Sequence, residues 1–432
     1  MASTGAPMNA RRRLLARIAG AAAAPVTLPW RTSAVGQATS NTQRDALPVT
    51  GRALPGLEAL DAIVTPVLQA HGIPGAAIAI THGGALKLAR GYGFADVQAR
   101  SPMRPVTFVA LASVSKVLTA QTILKLAEGG RLALSDRVFG YFRDLQPPPG
   151  MREDPRLAEI TIEMCLHHTG GWNRKTSGDP SGWGPRITRA LRLDGPPTPL
   201  AMIRYMKGVP LDFAPGTQQV YSNFGFVLLG GVIAKITGQP YPEAVRQLAL
   251  QPMGATGLRL DNVPPDYNPG EAHRYLAGSE HPVPGGNPRM VMASGGWQAS
   301  CVDMARVMTA IDGSRTGTPF LAPAMFQAML EPAPGIQHPS ADHWMGLGWD
   351  MVQSFPDAGG GKRYSWGKDG GLGGIQTYVE HLAIGANFVL LFNSSAAEGD
   401  GGGALTLVKP RVIDFIRQVG AWPDGDLFGA FA

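Results

Sequence analysis

Residues 111–130, LASVSKVLTAQTILKLAEGG, place Ser113, Val114, Ser115 and Lys116 at the head of an apolar pattern, Val117, Ala120, Leu124 and Ala127, that stops at Gly129 and Gly130. The spacing predicts a helix. Three residues apart, Ser113 and Lys116 share one face of it, close enough for the amine to reach the hydroxyl. A serine hydroxyl is too weak an acid to attack a carbonyl unaided. A neighbouring lysine serves as its base once its pKa falls from about 10.4, which burial and nearby cations bring about. The helix N-terminus adds roughly half a positive charge and free N–H groups near the oxygen that becomes anionic.

Outward on the N-terminal side, Leu57, Leu60, Ile63, Val64, Val67 and Leu68 recur at helical spacing up to Gly72, with Pro66 predicting a kink. Residues 76–81, Gly83 and Gly84, and residues 85–91 then read as a β-hairpin. Towards the other end, residues 375–379 and 387–392 form a second strand pair, followed by an amphipathic segment with Val412, Ile413, Phe415, Ile416 and Val419. The two ends mirror each other, so one antiparallel sheet built from both is expected, flanked by N- and C-terminal helices. Between them the period is helical, as in residues 226–236. The predicted fold is α/β (α+β): an all-helical region, about 114–290, inserted into the sheet, with the active site in the cleft between.

Composition agrees with a large folded domain: 432 residues, 44% hydrophobic and 16% charged, with 56 glycines and 37 prolines dispersed between periodic segments. No run of eighteen apolar residues occurs, so no stable membrane anchor is expected. Arg11, Arg12, Arg13 and Arg17 lead into an Ala-rich apolar stretch, and Gly36, Gln37 and Ala38 offer a small-residue cleavage site. Residues 1–38 therefore read as a twin-arginine-like export signal, with a basic tail or a mitochondrial-type presequence as the alternative. Residues 39–55 read as a linker and 56–432 as the functional domain, in a periplasmic or secreted protein. Cleavage after Ala38 removes five arginines and lowers the formal charge from +6 to +1, which argues against nucleic acid as a partner. Cys165 and Cys301 read as buried apolar residues, with a disulfide as the alternative. Neighbouring His167 and His168 point apart and make a poor metal site, and there is no H-E-x-x-H or C-x-x-C, so neither metal nor cofactor is expected.

Two further clusters follow. Tyr221, Ser222 and Asn223 stand between the turn Ala214, Pro215, Gly216 and an apolar helix, and Lys368, Asp369, Gly370 and Gly371 precede the strand at 375–379. Singly, each has a plain reading: a solvated helix lysine, a packed loop tyrosine, an edge-strand lysine. In this order, S-x-x-K, Y-x-N and K-x-G, the chain resembles the class C β-lactamase, penicillin-binding-protein, D-alanyl-D-alanine peptidase and related esterase family. Segments 73–76, 91–96, 112–120, 167–171, 215–230, 295–303 and 346–349 are similar to the family's recurrent ones, and the likeness spans about 56–419. The resemblance implies that Ser113 forms an acyl-enzyme, Lys116 assists its deprotonation and Tyr221 relays protons to leaving group and water. It implies that Asn223 orients Lys116 and substrate, and that Lys368 holds down the pKa values of Tyr221 and Lys116. By the same resemblance the backbone N–H groups of Ser113 and Gly371 form an oxyanion hole, each worth on the order of a hundredfold to a thousandfold in rate, and Gly371 permits close approach.

One position departs from the pattern. Where the family commonly has threonine or serine after the third-motif lysine, this chain has Asp369. Facing the cleft, it would repel an anionic substrate by about 1 to 4 kcal/mol; turned to solvent or paired with Lys368, it would not. Residues 174–199 read as a loop that shapes the acyl pocket or as a surface excursion, 399–403 as a glycine turn, and 359–362 as no P-loop, since Arg363 follows. No G-x-S-x-G elbow is present, which disfavours an α/β-hydrolase. The expected function is a serine hydrolase acting on small carboxylic esters or amides. The alternatives are a true β-lactamase or D-alanyl-D-alanine carboxypeptidase, and a protein that binds peptidoglycan fragments or β-lactams without turnover.

Overall fold

The computed structural model describes residues 46–262, 266–283, 287–338, 340–395 and 403–431. The predicted export signal at 1–38 and the linker up to residue 45 lie outside them, as does 399–402 of the glycine turn. Eight strands build the main sheet: β1 (Val49–Ala53), β2 (Gly75–His82), β3 (Ala85–Asp96), β4 (His343–Trp344), β5 (Met351–Pro356), β6 (Lys362–Leu372), β7 (Ile375–Leu382) and β8 (Ala386–Phe392). Their order is β1-β3-β2-β8-β7-β6-β5-β4, every neighbour antiparallel, with Ser101–Pro102 added on β3. The β2–β8 ladder, running from Ala76 opposite Phe392 to His82 opposite Ala386, joins the two ends of the chain as the mirrored pattern predicts.

Alternation along these strands sorts the two faces by size. Ile78, Ile80, Phe388, Leu390 and Phe392 turn to the side covered by helices α1 (Leu60–Ala70) and α5 (Ala404–Gln418), packing with Leu60, Val64, Leu68, Val412 and Ile416. Each fully buried leucine or phenylalanine contributes about 1.5–3 kcal/mol there. Helix α1 runs uninterrupted through Pro66, which supplies no N–H to the carbonyl one turn back. The opposite face carries Ala77, Ala79, Val389 and Leu391, and against it lie α4 (Cys301–Ile311) and the helical body that holds α2 (Ser115–Glu128) and α3 (Asn223–Thr237).

Three expectations need correction. Residues 49–53, read as linker, form edge strand β1 on β3; five half-exposed residues around Gly51 carry too little apolar alternation to announce a strand. The inserted region is not all-helical, since Arg259–Leu260 pairs with Trp297–Ala299 and Tyr275–Leu276 pairs with Ser394–Ser395. Lys368 stands inside strand β6, opposite Val379, rather than at the entrance of the following strand. Cys165 and Cys301 are free and buried, with burial pushing both thiols up, so neither is a reactive thiolate.

Candidate active site

Ser113 sits in the 3-10 turn Ala112–Val114 that runs into α2. The residue before it, Ala112, has φ of 45°, a left-handed conformation that costs a residue with a Cβ about 1–3 kcal/mol. Surrounding bonds hold it there. Leu111 N–H donates to Trp297 O at 2.8 Å, Thr377 Oγ1 donates to Leu111 O at 2.8 Å, and Ser115 Oγ accepts from Trp297 N–H at 3.1 Å.

The structure brings the three predicted clusters together. Lys116 Nζ lies 3.1 Å from Ser113 Oγ, and Tyr221 Oη donates to the same oxygen at 2.7 Å. Lys116 Nζ also reaches Asn223 Oδ1 at 2.7 Å and Ser294 O at 2.6 Å. Asn223 begins α3 behind its cap Ser222, and its Nδ2 donates to Asp179 Oδ2 at 2.6 Å. Asp179 caps the turn Pro180–Gly182, so segment 174–199 is tied to the site and supplies Ser181 and Gly182 to its wall. Lys368, wholly buried, pairs with Asp350. Both lysine Nζ atoms face the Tyr221 ring, at 4.9 Å for Lys116 and 4.8 Å for Lys368.

These positions set the charge states. Burial, and secondarily Lys368, holds the Lys116 amine well below the ordinary lysine pKa. Burial is the largest effect on the Lys368 ammonium and works against it, but Asp350, Tyr221 and Asp369 together outweigh it and raise its pKa. Burial pushes Asp350 up to about 6 against the pull of Lys368, and its hydrogen bond to Asp369 adds to the rise. Tyr221 departs from expectation. Lys368 does favour its phenolate, but burial is the larger effect and leaves the phenol pKa raised. His168, buried against the Tyr221 ring at 4.5 Å, accepts from Ser222 N–H on Nδ1 at 3.2 Å and is kept neutral, chiefly by burial. The result is an amine whose charged form is disfavoured and a protonated phenol on one serine oxygen.

One predicted binding residue, Asp369, needs correction. Asp369 lies opposite Tyr378, whereas Lys368 lies opposite Val379. Val379 packs on the helical-body side of the sheet and Tyr378 on the side of α1 and α5, so alternation turns Asp369 away from Ser113. Its carboxyl bonds Asp350 and lines a separate cavity of about 480 Å³ with Tyr378 and Lys409. Of Gly370 and Gly371, Gly370 is the glycine packed tightly against the protein. A Cβ on Gly370 would meet Thr377 Oγ1 at 2.3 Å and Leu111 O at 2.5 Å, whereas one on Gly371 would meet nothing within 4 Å. Gly371 does border the Ser113 cavity, about 300 Å³ and walled also by Ala112, Asn287, Pro288, Val291 and Leu372.

Sequence reading missed Asp179, Ser294, Asp350 and the role of His168 as an acceptor. Each adjoins or lies in a segment already singled out, at 174–199, 295–303, 346–349 and 167–171. Among the described residues no group of His, Cys, Asp or Glu is arranged to hold a metal ion. No helix among them is long and apolar enough to cross a membrane.

Comparison with known proteins places the chain in a family. The family model described as Beta-lactamase matches residues 60–409. The chain is 29% identical over 373 residues to Esterase EstB of Burkholderia gladioli, covering 79% of this chain and 91% of that protein. Among solved structures, the octameric penicillin-binding protein homologue from Pyrococcus abyssi aligns with a TM-score of 0.65 at 23% identity, over 84% of this chain and 78% of that one. The D-amino acid amidase from Ochrobactrum anthropi SV3 aligns with a TM-score of 0.64 at 20% identity, over 84% and 100%.

Proposed function

The chain belongs to the beta-lactamase family, and on that premise we propose that it is a serine hydrolase that forms an acyl-enzyme on Ser113 and acts on small carboxylic esters or amides. The observation that carries this reading is the position of Ser113 Oγ, 3.1 Å from a buried amine whose pKa burial holds well below the ordinary lysine value and 2.7 Å from the Tyr221 hydroxyl.

Ser113 Oγ bonds to the acyl carbon while its proton passes to Lys116 Nζ and the carbonyl π pair moves onto oxygen, facing the backbone N–H groups of Ser113 and Gly371. When the tetrahedral carbon collapses, the bond to the leaving group breaks, Tyr221 Oη–H protonates the departing oxygen or nitrogen, and the Lys116 ammonium returns a proton to Tyr221. Water then attacks the acyl carbon by the reverse relay, and Ser113 leaves with its proton restored. Asn223 and Ser294 hold the amine on line, and Lys368 stabilises transient phenolate on Tyr221. The cavity of about 300 Å³ takes the acyl group.

The preference for esters or amides over anionic β-lactams and peptide C-termini draws on the departure at position 369, where the family commonly has a hydroxyl and this chain has Asp369. The likeness to Esterase EstB over most of both chains supports the same choice. The basic, then Ala-rich first 38 residues support export to the periplasm or beyond. The test is a side-by-side rate assay on a short-chain p-nitrophenyl ester and a chromogenic cephalosporin, with Ser113→Ala as control. Ser113-dependent ester turnover with the cephalosporin untouched supports the reading. Rapid cephalosporin turnover makes the protein a β-lactamase, and a stable acyl adduct without turnover makes it a binding protein.

A further inference from the structure

Three basic side chains surround the Tyr221 ring, and one has no part in the relay above. The Arg174 guanidinium carbon lies 5.0 Å from the ring centroid, close to the 4.9 and 4.8 Å of Lys116 and Lys368. Both lysines are wholly buried, whereas Arg174 is exposed, so it approaches from the solvent side. Among the described residues it has no carboxylate within ion-pair distance. Asp212, which ties down this loop, is taken up by the backbone N–H of Asn173 at 2.7 Å and by Ser177 Oγ.

The surrounding charges make this position informative. Burial disfavours charge on Lys116, and the charge of Lys368 is matched by Asp350, which Asp369 touches in turn. His168 packs against the ring as a neutral imidazole. Arg174 is therefore the uncompensated cation at the ring, and a guanidinium remains charged at any working pH. A cation over a phenol face is attracted to the ring, and its field favours negative charge on the phenol oxygen.

We propose that Arg174 is a positioning residue for Tyr221: its guanidinium holds the ring against Ser113 and stabilises the phenolate that forms while the phenol proton is on the leaving group. The proposal rests on the Tyr221 relay described above. Its signature is a dependence on the leaving group. An alkoxide must receive the Tyr221 proton before it departs, whereas p-nitrophenolate leaves without one.

The experiment compares kcat/KM for an alkyl ester and the p-nitrophenyl ester of one carboxylic acid, in wild type, Arg174→Ala, Arg174→Lys and Tyr221→Phe. In Arg174→Ala the ratio of alkyl to p-nitrophenyl kcat/KM falls about tenfold, as expected for removing one charge several ångströms from a developing anion at a half-exposed site. Arg174→Lys restores most of it, and Tyr221→Phe shows a larger fall in the same ratio. An unchanged ratio in Arg174→Ala overturns the assignment, whether both rates drop together or neither does. An unchanged ratio in Tyr221→Phe, with Ser113→Ala inactive, removes the relay itself and not the Ser113 mechanism.

Discussion

Asp179 accepts a hydrogen bond from the side-chain amide of Asn223 at 2.6 Å, and that contact decides which way the amide faces. With Nδ2 turned to Asp179, Oδ1 is the atom left to meet Lys116 Nζ, at 2.7 Å. A loop residue thus fixes an acceptor on the amine that activates Ser113. Asp179→Ala frees the amide to turn and removes the cap of the Pro180–Gly182 turn, so kcat falls about tenfold with KM within about threefold. Steady-state kinetics on a p-nitrophenyl ester, beside a melting curve, measures both effects.

The amine must be neutral to accept the Ser113 proton, so kcat/KM rises with pH through the Lys116 pKa, which burial and Lys368 hold well below the ordinary lysine value. Removing the Lys368 charge raises the Lys116 pKa. Lys368→Met therefore moves the acid limb of the pH–rate profile to higher pH and lowers kcat/KM at pH 7 by about tenfold or more. A limb that stays in place or moves to lower pH contradicts the assignment of Lys116 as base.

Gly370 and Gly371, adjacent in β6, part company. Gly370→Ala drives a methyl group into Thr377 Oγ1 and the Leu111 carbonyl, displacing the turn that carries Ser113. It costs about 1–3 kcal/mol of stability and at least a hundredfold in kcat/KM. Gly371→Ala meets nothing within 4 Å and retains the wild-type melting temperature, with ester turnover within about threefold. Thermal denaturation and esterase rates on the pair separate the two.

Asp369→Asn leaves ester turnover within about threefold and confers no cephalosporin hydrolysis, because the side chain lies across the sheet from Ser113. A tenfold or greater gain on the anionic cephalosporin would place the carboxylate in the cleft after all.

How far the site was legible follows from how its residues are joined. Ser113 and Lys116 are local, one helical turn apart, and the apolar spacing behind them reads directly as a helix. Tyr221 and Lys368 were reached through the order of motifs and the resemblance, because nothing local marks them. Ser294 and Asp179 contribute through contacts that no periodicity encodes: Lys116 meets a carbonyl 178 residues further on, and Asn223 meets a carboxylate 44 residues earlier. Asp350 is matched to Lys368 by the pairing of β5 with β6, a register that a sequence with Gly367, Gly370 and Gly371 in the strand does not announce. The hairpins were legible through alternation and turn glycines, whereas the short edge strand Val49–Ala53 lacked both. Asp369 was the position where motif reasoning reached furthest from the structure, since the side to which it points depends on strand phase, and Lys368 had been placed outside the strand.

The most direct test of the central claim joins two readings of one reaction: hydrolysis of a short-chain p-nitrophenyl ester by wild type and Ser113→Ala, and the intact mass of wild-type protein quenched during turnover. An acyl-enzyme on Ser113 predicts an adduct of the acyl mass on the peptide containing that residue and a loss of about a thousandfold or more in Ser113→Ala. Ser113→Ala hydrolysing the ester at the wild-type rate would contradict it.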